Sequence, residues 1–343
     1  MSSAPIRTGI IGLGRSGWSN HAQAMGRLPG FALTAVADHL AERRAEAEQK
    51  FGCTAYTAYP ELLADPRIEL AVVCTPSHTH AEIAIAACAA GKHVLVEKPM
   101  ATSVAEADAM MAAAAAHGTL LTVFQNRRLD PDFLRVQDIL ASDVLGPAHL
   151  IRMGRYGFQR RNDWQTLTRL GGGLLNNWGA HILDQGLLLL GGTYTEIFAD
   201  LRRTVSAGDA EDHVKVLLRG PQGPTLDVEI TTACATPGPE WLIMGERGTL
   251  SGSEKRLEWK YYPEGALPAL VADPGPAAGR RYGTGEVIPW QTAQEDIPHV
   301  DTTAAFYGRL ADSIRGGAPL LVTGESVRRQ IALLADIRRA GGV

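Results

Sequence analysis

The stretch Thr8-Gly9-Ile10-Ile11-Gly12-Leu13-Gly14-Arg15-Ser16-Gly17 decides how this chain folds. Its first half is a short apolar run ended by glycine, which predicts a buried β-strand. Its second half has the spacing G-x-G-x-x-G, and His21 to Leu28 beyond it reads as a helix. Gly12 permits a tight turn, Gly14 lets backbone approach a pyrophosphate, and Gly17 lets helix and strand pack closely. The helix N-terminus, with Arg15 and Ser16 in the same loop, then presents free N–H groups to the phosphates.

A dinucleotide site needs an acidic residue about 20 residues further on, at the end of the second strand. Phe31 to Ala37 reads as that strand and ends at Asp38. A carboxylate there holds the two ribose hydroxyls of NAD and repels the 2′-phosphate of NADP. Arg43 and Arg44 lie farther along the next helix, a less natural place for a phosphate clamp. NAD is therefore expected rather than NADP.

Outward from this unit, Ala71 to Cys74, Val94 to Val96 and Leu120 to Phe124 read as apolar strands. Leu40 to Phe51, Ala81 to Ala90 and Val104 to His117 read as the helices between them. Such alternation predicts an α/β fold with a parallel, doubly wound sheet. After Phe124 the pattern changes. A helix at Leu134 to Leu140, a strand at Ala148 to Tyr156 and a helix from Leu174 to Leu190 are followed by short alternating strands as far as Tyr261. These predict an open, mostly antiparallel sheet in an α+β unit. Pro263 to Pro298 reads as one long irregular loop, and two helices close the chain. At about 150 residues per domain, 343 residues make roughly two domains. The expectation is a Rossmann dinucleotide-binding domain over 1–125 and a substrate-binding and oligomerisation domain over 126–343.

Lys plus Arg is 33 and Asp plus Glu is 37, a formal net charge of -4. That balance argues against a nucleic-acid partner and against a polybasic membrane surface. The four cysteines are scattered with no CxxC pair, which suggests ordinary thiols in a reducing compartment. No apolar run approaches the roughly 18 residues of a membrane span, and no signal-peptide pattern is seen, so a cytoplasmic location is expected. Cys74, His78 and His80 lie close together, but Pro76 interrupts them and no fourth ligand is near in sequence. No metal is expected.

Two further stretches carry chemistry. Cys74-Thr75-Pro76-Ser77-His78-Thr79-His80 and Ala90 to Pro99 each end a strand, where open α/β sheets bind ligands. Gly171-Gly172-Gly173 precedes a helix on which Asn177, His181 and Asp184 fall at i, i+4 and i+7, on one face. With the glycine string, Thr75-Pro76 with His80, AGKHV from Ala90 to Val94, Glu97-Lys98-Pro99, and GGG…H…D from Gly171 to Asp184, the sequence resembles the Gfo/Idh/MocA oxidoreductases (glucose–fructose oxidoreductase, inositol dehydrogenase and relatives). The resemblance spans essentially the whole chain.

It implies that Lys98 lies beside the nicotinamide and the substrate hydroxyl, with a peptide bond to proline that is often cis in the family. It implies that His181 is the general acid/base opposite the nicotinamide. Thr75, Pro76, His80, Glu97 and Lys98 are expected to join the glycine loop in binding cofactor. The chemistry agrees. Oxidising a carbinol releases a proton, and an ammonium near that oxygen stabilises developing alkoxide charge. An imidazole, with an ordinary pKa of about 6.5, can take the proton. Many relatives carry Asp where this chain has Asn177, which puts a carboxylate dyad in doubt.

Asn126, in the Gln125-Asn126-Arg127-Arg128 segment, is expected to contact substrate, together with Arg128, Asp163, Trp164, Asn177 and Asp184. Asp184 is otherwise expected to orient its helix. A tryptophan beside polar side chains suits a sugar ring. The expected activity is hydride transfer between a nicotinamide cofactor and a secondary alcohol or ketone of a sugar, glycoside or cyclitol. The rivals are an NAD-recycling enzyme that cleaves glycosides through a transient keto-sugar, and a non-catalytic cofactor-sensing regulator. A homodimer or homotetramer through the exposed sheet face is expected from the same resemblance.

Overall fold

β1 (Ile6–Ile11) is buried at every residue but one. A strand with no polar face belongs in the middle of a sheet covered on both sides. It lies between β2 (Phe31–Ala37) and β4 (Leu70–Val73), with β3 (Thr54–Tyr56) outside β2. β5 (His93–Val96) and β6 (Leu121–Val123) complete a six-stranded sheet of order β3-β2-β1-β4-β5-β6, parallel throughout. The order reverses between β1 and β4, so the loops leaving these two strands diverge and open a crevice at their C-terminal ends. The computed structural model describes residues 4–342 except 277, 281 and 284.

The first helix differs from the expected His21 to Leu28. Residues 15–25 are helical, with a π-helical stretch Gly17–Ala22 running into α1 (Gln23–Met25). Its first turn is polar, so apolar periodicity could not mark the start, and the helix springs directly from the glycine string. α2 (Ala41–Phe51), α3 (Tyr59–Ala64), α4 (His80–Ala89) and α5 (Val104–Ala116) follow the strands of this sheet.

After α6 (Pro131–Ala141), the second sheet begins with β7 (Ala148–Tyr156). α7 (Ala180–Leu189) precedes β8 (Glu196–Arg202), β9 (His213–Arg219), β10 (Thr225–Thr231), β11 (Trp241–Gly245), β12 (Gly248–Ser253), β13 (Arg256–Tyr261) and β14 (Gln291–Asp296). Their order is β14-β13-β12-β11-β7-β10-β9-β8, antiparallel except where β10 meets β7. β9 alternates buried and half-buried residues, the pattern of a sheet with one face on the core and one face open.

β14 corrects the expectation of one irregular loop from Pro263 to Pro298. It pairs with β13 from Gln291 opposite Tyr261 to Asp296 opposite Arg256. The segment is polar because an edge strand can be held by main-chain hydrogen bonds alone, and such a strand leaves no hydrophobic period to read.

α8 (Thr302–Gly316) and α9 (Gly324–Ala340) return the chain to the first sheet. Phe306, Tyr307 and Leu310 enter the first hydrophobic core. On α9, Val327 and Ile331 join that core, while Leu333, Leu334 and Ile337 join the second. The segment 126–343 thus lends residues to the core of 1–125, and α9 contributes to both cores.

Candidate active site

Gly12 leaves β1 with φ +92 and donates its N–H to Ala37 O at 2.8 Å. A Cβ on Gly12 would lie 2.9 Å from the Cys74 carbonyl carbon and oxygen, and one on Gly17 only 1.9 Å from Gly12 O. These two glycines are demanded by internal contact. A Cβ on Gly14 would meet nothing within 4 Å, so the loop is open on its outer side. Asp38, at the end of β2, accepts from Leu13 N–H at 2.7 Å and Leu40 N–H at 2.9 Å. It therefore orders the glycine loop as well as standing beside it. Arg43 Nη1 lies 3.4 Å from the same carboxylate, and Arg44 Nη1 donates to Asp38 O. A helix N-terminus, an open glycine loop and a carboxylate at the second strand fit the diphosphate and ribose of a dinucleotide.

Under the loop lies a buried polar cluster. Glu97 Oε1 accepts from Ser16 Oγ and lies 3.1 Å from His21 Nε2, and its Oε2 accepts from Lys98 N–H at 3.1 Å. His21 Nδ1 in turn lies 2.6 Å from Tyr307 Oη on α8. Burial by itself would raise the Glu97 carboxyl. The bond and charge of His21, the Ser16 hydroxyl and the Lys98 charge outweigh it and hold Glu97 well below the carboxylate range. Glu97, expected to touch cofactor, is thus enclosed by protein and supports the loop from behind.

His80 is also turned inward. Its Nδ1 lies 2.8 Å from Pro99 O and its Nε2 2.9 Å from Thr75 O, and burial lowers its pKa. It clamps the turn after β4 to the Lys98-Pro99 bond, which is cis. Thr75 Oγ1 accepts from Thr79 Oγ1 at 2.7 Å, while Pro76 and His78 are exposed at the crevice rim.

Lys98 reaches across to the helix that leads into α7. Its Nζ donates to Asn177 O at 3.1 Å and to Asn177 Oδ1 at 3.0 Å, and Asn177 Nδ2 donates to Gln165 Oε1. Burial brings the Lys98 ammonium down to about 8, with Glu97 pulling it up and Arg15 and Arg127 pushing it down. One turn beyond Asn177, His181 Nδ1 lies 3.1 Å from Gln125 Oε1. Burial, then the charges of Lys98 and Arg127, hold the imidazole well below its ordinary range, so it is neutral at pH 7. Trp178 stands between the Arg127 and Arg155 guanidinium groups, 4.7 and 4.4 Å from its ring centre.

Other expected contacts are engaged elsewhere. Arg128 and Asp184 form a bidentate pair, both bonds 2.7 Å, with side chains 7% and 3% exposed. Expected at the substrate, they instead satisfy each other in the interior, and Asp184 anchors its helix. Asn126 donates to Thr302 Oγ1 at the start of α8. Asp163 is held by Arg161 and caps the short turn containing Trp164, whose ring is half exposed. Of the expected substrate residues, Asn177 alone meets Lys98. His21, Tyr307 and Gln330 carried no signal in sequence, since none belongs to a motif and each meets its partner only across long sequence separations. Gln125 carried one, its place at the C-terminal end of a parallel strand. A shallow open cleft beside Asn177 is lined also by Arg161, Gln165, Ser206 and Glu211. Among the described residues, no group of three or more His, Cys, Asp and Glu is arranged to hold a metal ion, and no helix is long and apolar enough to cross a membrane.

Residues 6–125 match the Gfo/Idh/MocA model described as an oxidoreductase family with an NAD-binding Rossmann fold, and residues 133–251 match the Gfo/Idh/MocA C-terminal domain. The scyllo-inositol 2-dehydrogenase (NADP(+)) IolW of Bacillus subtilis is 29% identical over 93% of this chain and 89% of its own length. The myo-inositol 2-dehydrogenase of Thermotoga maritima is 31% identical over 62% of this chain and 64% of its own length. The crystal structure of an NAD-binding protein from Listeria innocua superposes with a TM-score of 0.83 at 26% identity, covering 99% of this chain and 95% of that one.

Proposed function

The chain belongs to the Gfo/Idh/MocA family of NAD-binding oxidoreductases, and on that premise we propose that it transfers hydride to or from a secondary alcohol or ketone of a sugar, glycoside or cyclitol. The observation that carries this reading is the bridge from Lys98 Nζ to Asn177, which sets a half-buried ammonium one helical turn from a neutral imidazole. The nicotinamide ring supplies the hydride acceptor or donor. The protein's own residues manage the proton and the charge. In oxidation His181 accepts the hydroxyl proton, and the Lys98 ammonium stabilises the negative charge that builds on oxygen. Asn177 orients Lys98 without contributing charge. The inositol specificities of the two named relatives support a polyol substrate. An NADH-formation screen across sugars, glycosides and inositols tests the reading. Aglycone release without net NADH would favour the glycoside-cleaving rival instead.

Ketone reduction runs the same step in reverse, so the proton returns through His181 and the Lys98 ammonium polarises the reacting oxygen in both directions. Protonated Lys98 is lost as pH rises through about 8. The kcat/KM for oxidation, which needs neutral His181 and charged Lys98, is therefore expected to fall tenfold per pH unit above that value, because kcat/KM reports groups of the free enzyme. A profile flat to pH 9.5 would remove Lys98 from the role.

We propose NAD as the preferred cofactor because a carboxylate stands at the end of β2. IolW, named for NADP(+), and the nearby Arg43 and Arg44 support the other preference. Asp38→Asn keeps an acceptor for Leu13 N–H and removes the charge. Its NADP-to-NAD affinity ratio, measured by titration, is expected to rise at least ~10-fold, one tenfold step per 1.4 kcal/mol. An equal change for both cofactors would undo the assignment.

The open face of the second sheet is proposed to pair with a second copy. Phe198 is 55% exposed on it, opposite Leu217 on β9. Light scattering should give a dimer or tetramer, and a monomer at micromolar concentration refutes it.

A further inference from the structure

His181 Nδ1 faces a single partner, Gln125 Oε1, and its Nε2 has none among the described residues. An amide can face a histidine with its oxygen or its nitrogen, and the two choices select opposite imidazole tautomers. Here the choice is forced from behind. Gln125 Nε2 donates to Ala180 O at 2.9 Å and leans on Gln330 Oε1 at 3.4 Å. Gln330, on α9, also donates its own Nε2 to Ala180 O. Turning the Gln125 amide over would set its oxygen against two acceptors, the Ala180 carbonyl and the Gln330 oxygen. Turning Gln330 over would set its oxygen against the same carbonyl. Gln125 and Gln330 are 1% and 0% exposed, so bulk solvent does not reach either side chain to relieve the conflict.

We propose that Gln125 is a positioning residue that keeps the single proton of neutral His181 on Nδ1, leaving Nε2 bare as the atom that takes the substrate proton. The role in catalysis rests on the functional reading above; the tautomer itself does not. The lock is built from three elements: the end of β6, the helix bearing His181, and α9. The charged groups facing His181 are Lys98, Arg127 and Glu97. Burial first, and then these charges, set whether the ring is protonated, and Gln125 sets where the one remaining proton sits. The helix that carries the base thus also carries the carbonyl that orients the amide.

The test is a long-range proton–nitrogen NMR spectrum of the full-length protein labelled with ring-15N histidine, with His181→Ala used to identify the His181 signals. The wild-type signals should show the Nδ1–H form at pH 7.5. In Gln125→Met, of similar volume and without an acceptor, the tautomer ratio should move at least ~10-fold toward Nε2–H, the weight of one net hydrogen bond. Gln330→Met should move it the same way by less, and it serves if Gln125→Met does not fold. A packing role alone would leave the ratio untouched. An Nε2–H wild type, or an unchanged ratio in both variants, overturns the proposal. Because the spectrum needs no turnover, it is separable from the functional reading. Wild-type turnover by His181→Ala would sink that reading and leave the tautomer result standing.

Discussion

Lys98→Met and His181→Ala are each expected to lower kcat/KM for alcohol oxidation by ~10³-fold, in the range of a lost charge stabiliser or general base. On the proposed mechanism both act on the reacting oxygen, and neither is part of the glycine loop. The cradle from Gly12 to Gly17 is ordered instead by Asp38 from one side and Glu97 from below. NADH affinity, read by its fluorescence, should therefore stay within about threefold of wild type. The variants should differ in detail. Lys98→Met removes the ammonium that depresses His181, so the acid limb of its residual pH profile moves upward. His181→Ala leaves Lys98 free to act, so its residual oxidation should still fall above pH 8. Full turnover in either variant would sink the mechanism.

Asp184→Ala should destabilise the protein by about 3–5 kcal/mol, the usual penalty for leaving one member of a buried ion pair uncompensated. Arg128 donates two bonds to Asp184 and a third, at 3.1 Å, to Ser326 Oγ on α9. Removing the carboxylate leaves the guanidinium buried with the hydroxyl as its remaining side-chain partner. The loss should appear as a lower urea midpoint. The double variant Asp184→Leu with Arg128→Met should regain much of it, because no charge is then stranded. A loss below ~1 kcal/mol for the single variant, or a double variant no better than the single, would show that the pair is solvated after all. The prediction also separates structure from chemistry at this position. A substrate ligand would give an altered KM with unchanged stability.

Much of the fold was legible along the chain because its signals are local. Apolar strands ended by glycine, the spacing from Gly12 to Gly17 and an acid at Asp38 all lie within one βαβ unit. β14 was not legible, since an edge strand held by backbone bonds needs no apolar face. The first turn of the first helix was missed for a related reason, being polar.

The site divides along the same line. Lys98, His181 and Asn177 could be picked out by type, spacing and resemblance. Their neighbours could not. Glu97 and His80 look like ligands in a motif and prove to be buried clamps. Arg128 and Asp184 look like substrate contacts and prove to be each other's partner. Lys98 and Asn177 are 79 residues apart, His21 and Tyr307 286, and Gln125 and Ala180 55. The chain by itself determined the sheet, the glycine loop with Asp38 beside it, and the types of ionisable group at the strand ends. Folding decided which polar groups were left free to act. A buried polar atom must find a partner wherever the packed chain offers one, and that partner is set by distance in space, which sequence spacing does not record.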